Sequence, residues 1–594
     1  MKPLLGVACI AALILVAGAF QLTRPGYSVD EEFTVFAVRG IQAHGLPLLP
    51  SQLLYDRGLA YSYASWVAAA VSGTELPAYR ALSLLCSLAS VLLTFAMVRR
   101  LATERAALLA ATLVSLSMPF AATATTGRFY APFLAVYMFG LWLVTVVHER
   151  NRGDKPLNRG DKPLGLSGDI LLSLLATAAI GRWLHELAFT LAAIPCVCAL
   201  LDERAYRRRW VAAAAAIVFG LVAAQGMLFL LHALEPASGE TMVRRFFLWQ
   251  VLNLFEVPAA RQYGVLLAAM LVAWLIVPAR VAVAAVIALS GTAMVVAFSI
   301  ARASNFGPLN MASIATVLSD GAMYPLDMFR HLASVNPMAV LLVLVCLVAR
   351  LSGAGGEWRP PERAVHLLWM FWVLWFGAID SGITSNYLLL PVTLMLVAIA
   401  IDADAIVSHW LPPVSDTLQR FAFAVVVLIG IGLGVDQWRG TGSVSERLDA
   451  ARPTIHLAGI AEVRAGLLPN DRIACTDELA CLLLVGRIDY WLALDDFVRE
   501  RFLVKLPNGT MAGVYTGARA AFRPGDLFEP NPDGTLPDRV LIVDVFKEFP
   551  IGSSRSWLPK AIELDGLQVT PLLETPQGRV LQISPQERNA FRQP

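Results

Sequence analysis

Residues 77–98 read PAYRALSLLCSLASVLLTFAMV, and the basic pair Arg99-Arg100 follows directly. A run of this length matches the roughly 20 apolar residues that cross a bilayer as an α-helix. Basic residues at its end are typical of the cytoplasmic side of a membrane span. Comparable apolar runs recur from residue 4 to residue 436. The pattern therefore predicts a polytopic α-helical membrane protein.

The composition of the 594-residue chain supports the same class. Hydrophobic residues make up 57% of it and charged residues only 15%, which is more apolar side chain than soluble domains carry. Disordered, collagen-like and small disulfide-bonded secreted proteins have different compositions and are excluded. The formal net charge of +2 gives no support to nucleic acid as a partner.

We predict about thirteen membrane spans. The first run is long for the apolar core of a secretory signal, so we interpret it as a retained anchor. Residues 99–105, 150–162 and 204–209 form strongly basic connections, whereas the short connections on the other side carry one basic residue or none. An odd number of spans then places the end of the chain outside the cytoplasm. The predicted spans are residues 4–20, 77–98, 106–122, 129–147, 169–185, 187–201, 210–233, 263–279, 281–300, 337–350, 364–380, 385–401 and 420–436.

Two regions outside the cytoplasm are too long to be simple connections. The first, residues 21–76, which we call loop one, contains two stretches, 31–43 and 60–71, that we expect to form interfacial helices. The second, residues 440–594, which we call the tail, has the size of one domain. We predict a transmembrane domain over 1–439 and a small α/β domain over 440–594. Its predicted elements are strands at 472–475, 539–545 and 579–583 and a helix at 478–486.

Two of the seven cysteines, Cys475 and Cys481, lie in the tail. An oxidising compartment would allow a disulfide between them, and two free thiols are an equally open alternative. A metal site is disfavoured because no second Cys or His pair lies nearby. The tail has no Gly-rich phosphate loop, so we do not predict a nucleotide site there.

Charged residues at the outer face of the membrane are the candidates for chemistry, because ionisable groups near hydrocarbon are costly. Loop one opens with Asp30-Glu31-Glu32, at the start of an amphipathic stretch. One interpretation is helix capping, since acids are favoured at a helix N-terminus. The other is a carboxylate that acts as a general base at the lipid interface.

Three further groups are predicted on the same face. Each has a structural alternative: Tyr61 could lie in the interfacial aromatic belt, Arg128 could extend to the interface without a ligand, and His185-Glu186 could form an interhelical hydrogen bond. As functional groups, arginines suit a phosphate and tyrosines can stack on a sugar. The three groups are Tyr55-Asp56-Arg57-Gly58 with Tyr61, Gly127-Arg128-Phe129-Tyr130, and His185-Glu186.

Taken together, motifs over residues 27–190 resemble the GT-C glycosyltransferases. The branch to which the chain is most similar uses dolichyl- or undecaprenyl-phosphate sugars and includes protein O-mannosyltransferases and the lipid A aminoarabinose transferase. About thirteen spans with an exported α/β tail match the layout of the latter. The motifs are Asp30-Glu31, Tyr55-Asp56-Arg57-Gly58, Gly73-Thr74-Glu75 followed by Arg80, Gly127-Arg128-Phe129-Tyr130-Ala131, and His185-Glu186.

The resemblance implies a sugar donor on a polyprenyl monophosphate and transfer to an acceptor hydroxyl with inversion. The family's loop-one aspartate corresponds to Asp30, which would deprotonate the acceptor. Glu31 would orient this base or bind acceptor hydroxyls. The remaining matched residues would bind substrate. The cations that contact the departing phosphate would be Arg57, Arg128 and His185, and further substrate contacts would come from Tyr61, Tyr130 and Glu186.

The chain also departs from that branch. Where the aminoarabinose transferases typically carry a Lys-Pro-Pro-like element, this chain has Asp56-Arg57-Gly58, so neither sugar nor acceptor is inherited from the resemblance. A divalent cation is required in some relatives, while the acids here show no ligand spacing that demands one. In the tail, residues 486–491 (GRIDYW) are distantly similar to the aromatic-acid motif of oligosaccharyltransferase tails, without implying a function.

Two other classes of function stay open from the sequence. A transporter or flippase for a lipid-linked substrate would place charged residues at the bilayer midplane, whereas these acids lie at its boundary. A non-catalytic envelope assembly subunit would use the tail to bind a partner. We expect a bacterial inner membrane, with the tail in the periplasm and membrane lipids as partners. For the glycosyltransferase, the partners are a polyprenyl-phosphate-sugar donor and a lipid, glycan or protein acceptor.

Overall fold

The computed structural model describes residues 2–28, 30–153, 166–203, 206–232, 337–378, 385–410, 454–494, 499, 502–506, 508–530, 534–546 and 554–585. They divide into two compact units. The helical unit includes Met1–Leu22, Tyr79–Phe229 and the described part of Gln250–Ala451. The sheet unit includes Thr23–Ala78, the described part of Leu230–Trp249 with His232, and Arg452–Pro594, so that loop one groups with the tail. The boundary predicted between residues 439 and 440 lies outside the described residues, and the two predicted domains stay a prediction.

The α-helices of the described residues belong to both units. They are α1 (Lys2–Leu22), α2 (Glu31–His44), α3 (Leu59–Ser72), α4 (Leu76–Leu101), α5 (Glu104–Leu116), α6 (Met118–Ala124), α7 (Tyr130–Gly153), α8 (Gly168–Leu184), α9 (Thr190–Leu201), α10 (Arg207–His232), α11 (Pro337–Leu351), α12 (Pro360–Ala378), α13 (Ser385–Trp410), α14 (Ile460–Ala465), α15 (Glu478–Val485) and α16 (Ser554–Leu564). Short 3₁₀ helices cover Glu186–Phe189 and Pro524–Phe528.

The described strands lie in loop one and the tail. They are β1 (Tyr27–Ser28), β2 (Thr454–Ile455), β3 (Arg472–Cys475), β4 (Tyr490–Leu492), β5 (Leu503–Lys505), β6 (Met511–Gly513), β7 (Arg519–Ala521), β8 (Val540–Val545), β9 (Leu567–Thr575) and β10 (Gly578–Pro585).

The apolar runs of the sequence form helices wherever the structure describes them. Ten of the predicted spans coincide with helices or helix pairs between α1 and α13, and the spans predicted at 263–279, 281–300 and 420–436 lie outside the described residues. Four described helices, α4, α7, α10 and α13, are long and apolar enough to cross a membrane. This confirms a multi-pass membrane protein, and the count of thirteen stays a prediction.

One predicted span, 106–122, is bent rather than straight. Helices α5 and α6 meet at an angle of 65° and would form a fifth span together. Ser117 has an extended backbone between them, with φ −70° and ψ 141°, and Pro119 follows within the first turn of α6. Proline lacks the N–H that would continue the helical hydrogen bonds, so the chain bends here.

A buried ionic network joins α11, α12 and α13. The guanidinium of Arg350 contacts Glu362 at 3.1 Å and Asp402 at 3.2 Å, and His366 Nε2 lies 3.0 Å from the other oxygen of Asp402. The indole N–H of Trp358 donates to Asp402 at 3.0 Å. All four ionisable side chains are buried, and buried charges need such partners to be tolerated. The network fixes the 352–359 connection to the helix ends.

The tail forms a mixed eight-stranded sheet in the order β5-β6-β7-β4-β3-β8-β10-β9. Strand β3 lies in its centre and pairs in parallel with β4 and β8, while β10 runs antiparallel to β8 and β9. The predicted strands correspond to β3, β8 and β10, and the predicted helix to α15. The predicted α/β class of the tail is therefore confirmed.

Alternation along the central strands gives the sheet two apolar faces. Ile473 and Cys475 of β3 pack into one core with Val543 of β8, whereas Ala474 and Ile542 pack into the other. Cys475 and Cys481 form a disulfide with a Cα–Cα distance of 6.1 Å, which ties the end of β3 to α15. Of the two alternatives open from the sequence, the structure contains the disulfide.

Loop one contributes directly to the core of the sheet unit. Its helices α2 and α3 match the two predicted interfacial helices closely. Strand β1 pairs with β2, with Tyr27 opposite Ile455. A third apolar cluster joins loop one to the tail; it contains Phe36, Ala37, Leu49, Leu53 and Tyr55 of loop one and Leu479, Val504 and Val514 of the tail.

Candidate functional site

Asp30 occupies the N-cap position of α2 in a left-handed backbone conformation, with φ 75° and ψ −8°. Its side chain makes no cap hydrogen bond, although Asp at this position normally accepts one from the helix backbone. The carboxylate is half-buried and makes no hydrogen bond or ion pair with the described residues. Within the part of the chain that the structure describes, capping of α2 therefore does not account for this acid.

The neighbouring acids are used differently. Glu31 and Glu32 are both fully buried. Glu31 Oε2 accepts the backbone N–H of Ser28 at 2.7 Å, so this carboxylate closes the turn between β1 and α2. Burial raises the pKa of the Tyr27 hydroxyl well above its usual value, and the negative charges of Glu32 and Asp477 raise it further. Of the three acids in the motif, Asp30 is the accessible one.

Arg57 and Asp56 follow in the same unit, just before α3. Both are half-buried. Asp56 Oδ2 lies 3.5 Å from Nε2 of His232, the last residue of α10. His232 was not among the candidates from the sequence, because a lone histidine at the end of an apolar helix carries no motif.

Tyr515 of the tail is a second residue that the sequence did not indicate. Burial raises the pKa of its hydroxyl well above the usual value. The positive charge of Arg57 acts in the opposite direction, and the negative charges of Glu478 and Asp30 act with burial. The charges of two predicted site residues, Arg57 and Asp30, therefore both reach the Tyr515 hydroxyl.

A second cluster lies in the helical unit. Arg128 is only 4% exposed, and its guanidinium lies over the Phe129 ring at 4.7 Å and the Tyr130 ring at 6.0 Å. The His185 ring lies 5.4 Å from that of Phe129 and 5.1 Å from that of Phe133. The structure thus brings Arg128, Tyr130 and His185 together. Because Arg128 is buried, extension of an exposed arginine to the interface does not explain its position.

His185 has a defined orientation in this cluster. It caps α8, and its Nδ1 accepts the backbone N–H of Leu187 at 3.1 Å. A neutral imidazole whose Nδ1 accepts carries its proton on Nε2, so His185 presents a donor on its other nitrogen. Glu186 begins the 3₁₀ helix that follows.

Two other candidates have surroundings that differ from the expected ones. Tyr61 is only 2% exposed in α3, so its ring packs in the interior of the sheet unit rather than at an exposed surface. In the tail motif at 486–491, Arg487 pairs with Asp489, which accepts the Ile473 N–H at 2.9 Å. Tyr490 lies between the guanidinium groups of Arg472 and Arg519. This motif stabilises the sheet.

No group of three or more His, Cys, Asp or Glu side chains lies together as a metal site within the described residues. The predicted acids Asp30 and Glu31 are adjacent, but Glu31 is engaged with the backbone of Ser28.

A comparison with protein-family models matches residues 56–157 to the family described as dolichyl-phosphate-mannose-protein mannosyltransferase. The matched segment includes Arg57, Tyr61, Arg128 and Tyr130. This segment is therefore similar to a family of membrane glycosyltransferases of the GT-C class. The resemblance inferred from the motifs is thereby confirmed. A comparison with curated protein sequences finds no match.

The chain is also similar to solved structures of two other proteins. The archaeal oligosaccharyltransferase AglB from Archaeoglobus fulgidus, in complex with an inhibitory peptide and a dolichol-phosphate, is similar with a TM-score of 0.52 at 10% identity, over 96% of this chain and 73% of that one. ArnT from Cupriavidus metallidurans bound to undecaprenyl phosphate aligns over 97% of both chains at 12% identity, with a TM-score of 0.46. The apo form of ArnT aligns to the same extent, with a TM-score of 0.45.

Proposed function

We propose that this protein transfers a sugar from a polyprenyl-monophosphate donor to an acceptor hydroxyl, with inversion at the anomeric carbon. The reaction takes place on the periplasmic face of a bacterial inner membrane. The observation that carries the proposal is the carboxylate of Asp30, which stands at a helix N-terminus without capping it.

Asp30 is the general base of the proposed reaction. It takes the proton of the acceptor hydroxyl as that oxygen attacks the anomeric carbon, and the bond from this carbon to the lipid phosphate oxygen breaks. Attack from the face opposite the phosphate inverts the configuration. A positioned base of this kind contributes roughly 10²–10⁴-fold to the rate. Glu31 supports the base by fixing the turn that precedes α2.

Arg128 and His185 bind the phosphate as negative charge develops on it. A guanidinium offers a fork of donors that fits phosphate oxygens, and burial strengthens its attraction for an anion. Tyr130 belongs to the same cluster through its contact with Arg128, and Glu186 is assigned to substrate binding. Arg57 and Tyr61 are assigned to substrate binding in loop one, where Arg57 supplies a cation. A divalent cation is compatible with the proposal but is assigned no role.

Substitution of Asp30 by Asn tests the proposal. The amide keeps the shape of the side chain and cannot take a proton, so D30N should lower transfer about 10²–10⁴-fold at unchanged protein level. The measurement is mass spectrometry of envelope glycolipids and glycans from cells that lack the gene and carry wild-type or variant copies. The wild type should restore one sugar increment.

Asp538→Asn is the matched control, because Asp538 is an exposed aspartate of the tail. D538N should restore the increment as the wild type does. If D30N restores it equally well, Asp30 is not the base; if cells without the gene lose no increment, the glycosyl-transfer proposal itself is wrong.

A further inference from the structure

The turn between β6 and β7 of the tail contacts loop one through its backbone. The N–H of Ser51 donates to the carbonyl of Tyr515 at 3.1 Å. A Cβ at Gly517, on the same turn, would lie 3.9 Å from the Cα of Ser51. The turn therefore contacts loop one at Tyr515 and lies close to it at Gly517.

The Tyr515 ring continues this contact to the first turn of α2. It meets the Phe33 ring edge-on, with centroids 4.9 Å apart, and Phe33 stacks on Tyr55 at 5.3 Å. The N–H of Phe33 donates to the carbonyl of Asp30 at 3.2 Å. Phe33 thus connects Tyr515 to Asp30.

Glu478 fixes the position of the turn within the tail. Its carboxylate accepts the backbone N–H groups of Tyr515 at 3.3 Å and of Thr516 at 3.1 Å, and it also accepts the Thr516 hydroxyl. A Cβ at Gly513 would lie only 2.3 Å from Glu478 Oε2, so a residue without a side chain is required there. Three hydrogen bonds to one buried carboxylate hold the Tyr515 backbone rigidly.

We infer that Tyr515 is a positioning residue for Asp30: its ring, held in the tail by Glu478, presses on Phe33 and fixes the first turn of α2. The inference rests on the proposed function for its consequence, because the geometry matters to transfer only if Asp30 is the base. The left-handed conformation of Asp30 adds to the need for support, since such a conformation persists only when its surroundings fix it.

Tyr515→Ala and Tyr515→Phe, in the full-length protein in lipid nanodiscs, test this inference. Y515A removes the ring and should increase hydrogen exchange at the amides of residues 31–34 at least tenfold. Y515F keeps the ring and should retain the protection of the wild type. In complemented cells, Y515A should reduce the sugar increment per protein at least tenfold, and Y515F should recover most of it.

Phe522→Ala is the matched control, because it removes an aromatic ring of the tail that is 39% exposed and lies against Arg499. F522A should leave the exchange of residues 31–34 unchanged. Binding of undecaprenyl phosphate, used as the probe, should be equal in all variants, since none of them changes the Arg128 cluster.

Hydrogen exchange tests the positioning role of Tyr515, and the envelope sugar increment tests the proposed glycosyl transfer. Unchanged exchange in Y515A, or a loss of protection in Y515F as large as in Y515A, overturns the positioning role of the ring. An increment that is absent even with the wild-type gene overturns the proposed function, and the exchange data then still decide whether Tyr515 supports the turn.

Discussion

Asp30 and Gln52 are the described non-glycine residues with a positive φ, at 75° and 70°. This conformation brings Cβ close to the following carbonyl and costs roughly 1–2 kcal/mol for most residues. Gln52 closes a tight turn, with its N–H donating to Leu49 at 2.8 Å. Asp30 also lies in a turn, in which its carbonyl accepts the Phe33 N–H at 3.2 Å, but its side chain does not cap α2. Residues held in this conformation are enriched at functional positions.

Asp30→Gly and Gln52→Gly should therefore separate stability from activity. Glycine adopts a positive φ at little cost, so each substitution should leave the protein equally stable or stabilise it by up to about 1 kcal/mol. Only D30G should abolish transfer. Pulse proteolysis of the full-length protein in urea measures the change in stability. The envelope sugar increment measures the loss of transfer. Transfer by D30G at the wild-type level would contradict the role of the carboxylate.

The site residues differ in how far the sequence could indicate them. Arg128 and His185 stand at the ends of predicted spans, and Asp30 and Arg57 stand just before the two predicted helices of loop one, so local pattern indicated all four. Tyr515 lies in a short turn with no motif, and its contact with Phe33 forms through tertiary packing across 482 residues of chain. Neither composition nor periodicity carries that information.

At the level of elements, helix α15 links several features of the sheet unit. Its N-cap, Asp477, accepts the Ala480 N–H at 2.8 Å. The carbonyl of Ala480 accepts the hydroxyl of Tyr27 at 3.0 Å, and Cys481 is bonded to Cys475. A substitution in this short helix should therefore alter the packing of both the tail and loop one.

The disulfide should stabilise this arrangement measurably. Closing a short loop between positions six residues apart is worth about 2 kcal/mol in the chain-entropy model. The double variant Cys475→Ser/Cys481→Ser should lower the free energy of unfolding of the tail by that amount, as measured by pulse proteolysis in urea. Dithiothreitol should destabilise the wild type equally and have no effect on the double variant. Equal stability of both proteins would show that the bond contributes nothing.

Glu478 should make the stability of the tail depend on pH. Burial raises the pKa of this carboxyl from its ordinary value of 4.5 to about 7, and the hydrogen bonds from Thr516 and Tyr515 lower it only in part. Between about pH 4.5 and pH 7, Glu478 keeps its proton in the folded tail but has lost it in the unfolded chain. The contribution of Glu478 to the free energy of unfolding is thus fully present below about pH 4.5 and is lost as the pH rises through 7. The difference is about 3 kcal/mol across the window.

Glu478→Gln should remove that dependence, because its amide does not titrate. Pulse proteolysis in urea between pH 5 and 8 should show a flatter profile for E478Q than for the wild type. Glu529→Gln is the control, since Glu529 is exposed and pairs with Arg519 at the surface. E529Q should keep the wild-type profile, and an unchanged slope in E478Q would exclude Glu478 as its source.

For the whole molecule, local sequence patterns predicted the helices and strands well but did not predict which of them pack together. The ten described spans, both loop-one helices and the strands β3, β8 and β10 follow from apolar runs and alternation, which are local properties. Pairing of β1 with β2 joins Tyr27 to Ile455, and the third apolar cluster joins Phe36 to Val504. Such contacts depend on complementary surfaces distant in sequence, and loop one therefore could not be assigned to the same compact unit as the tail.

The grouping of loop one with the tail sets an order of events during synthesis. The ribosome makes Phe36, Leu49 and Leu53 early, and their partner Leu479 follows only after all of the intervening helices. At roughly 5–20 residues per second, the wait is on the order of 20–90 s. Over that interval the apolar side chains of loop one have no tail to pack against. We therefore expect a chaperone or the bilayer surface to cover them until translation ends.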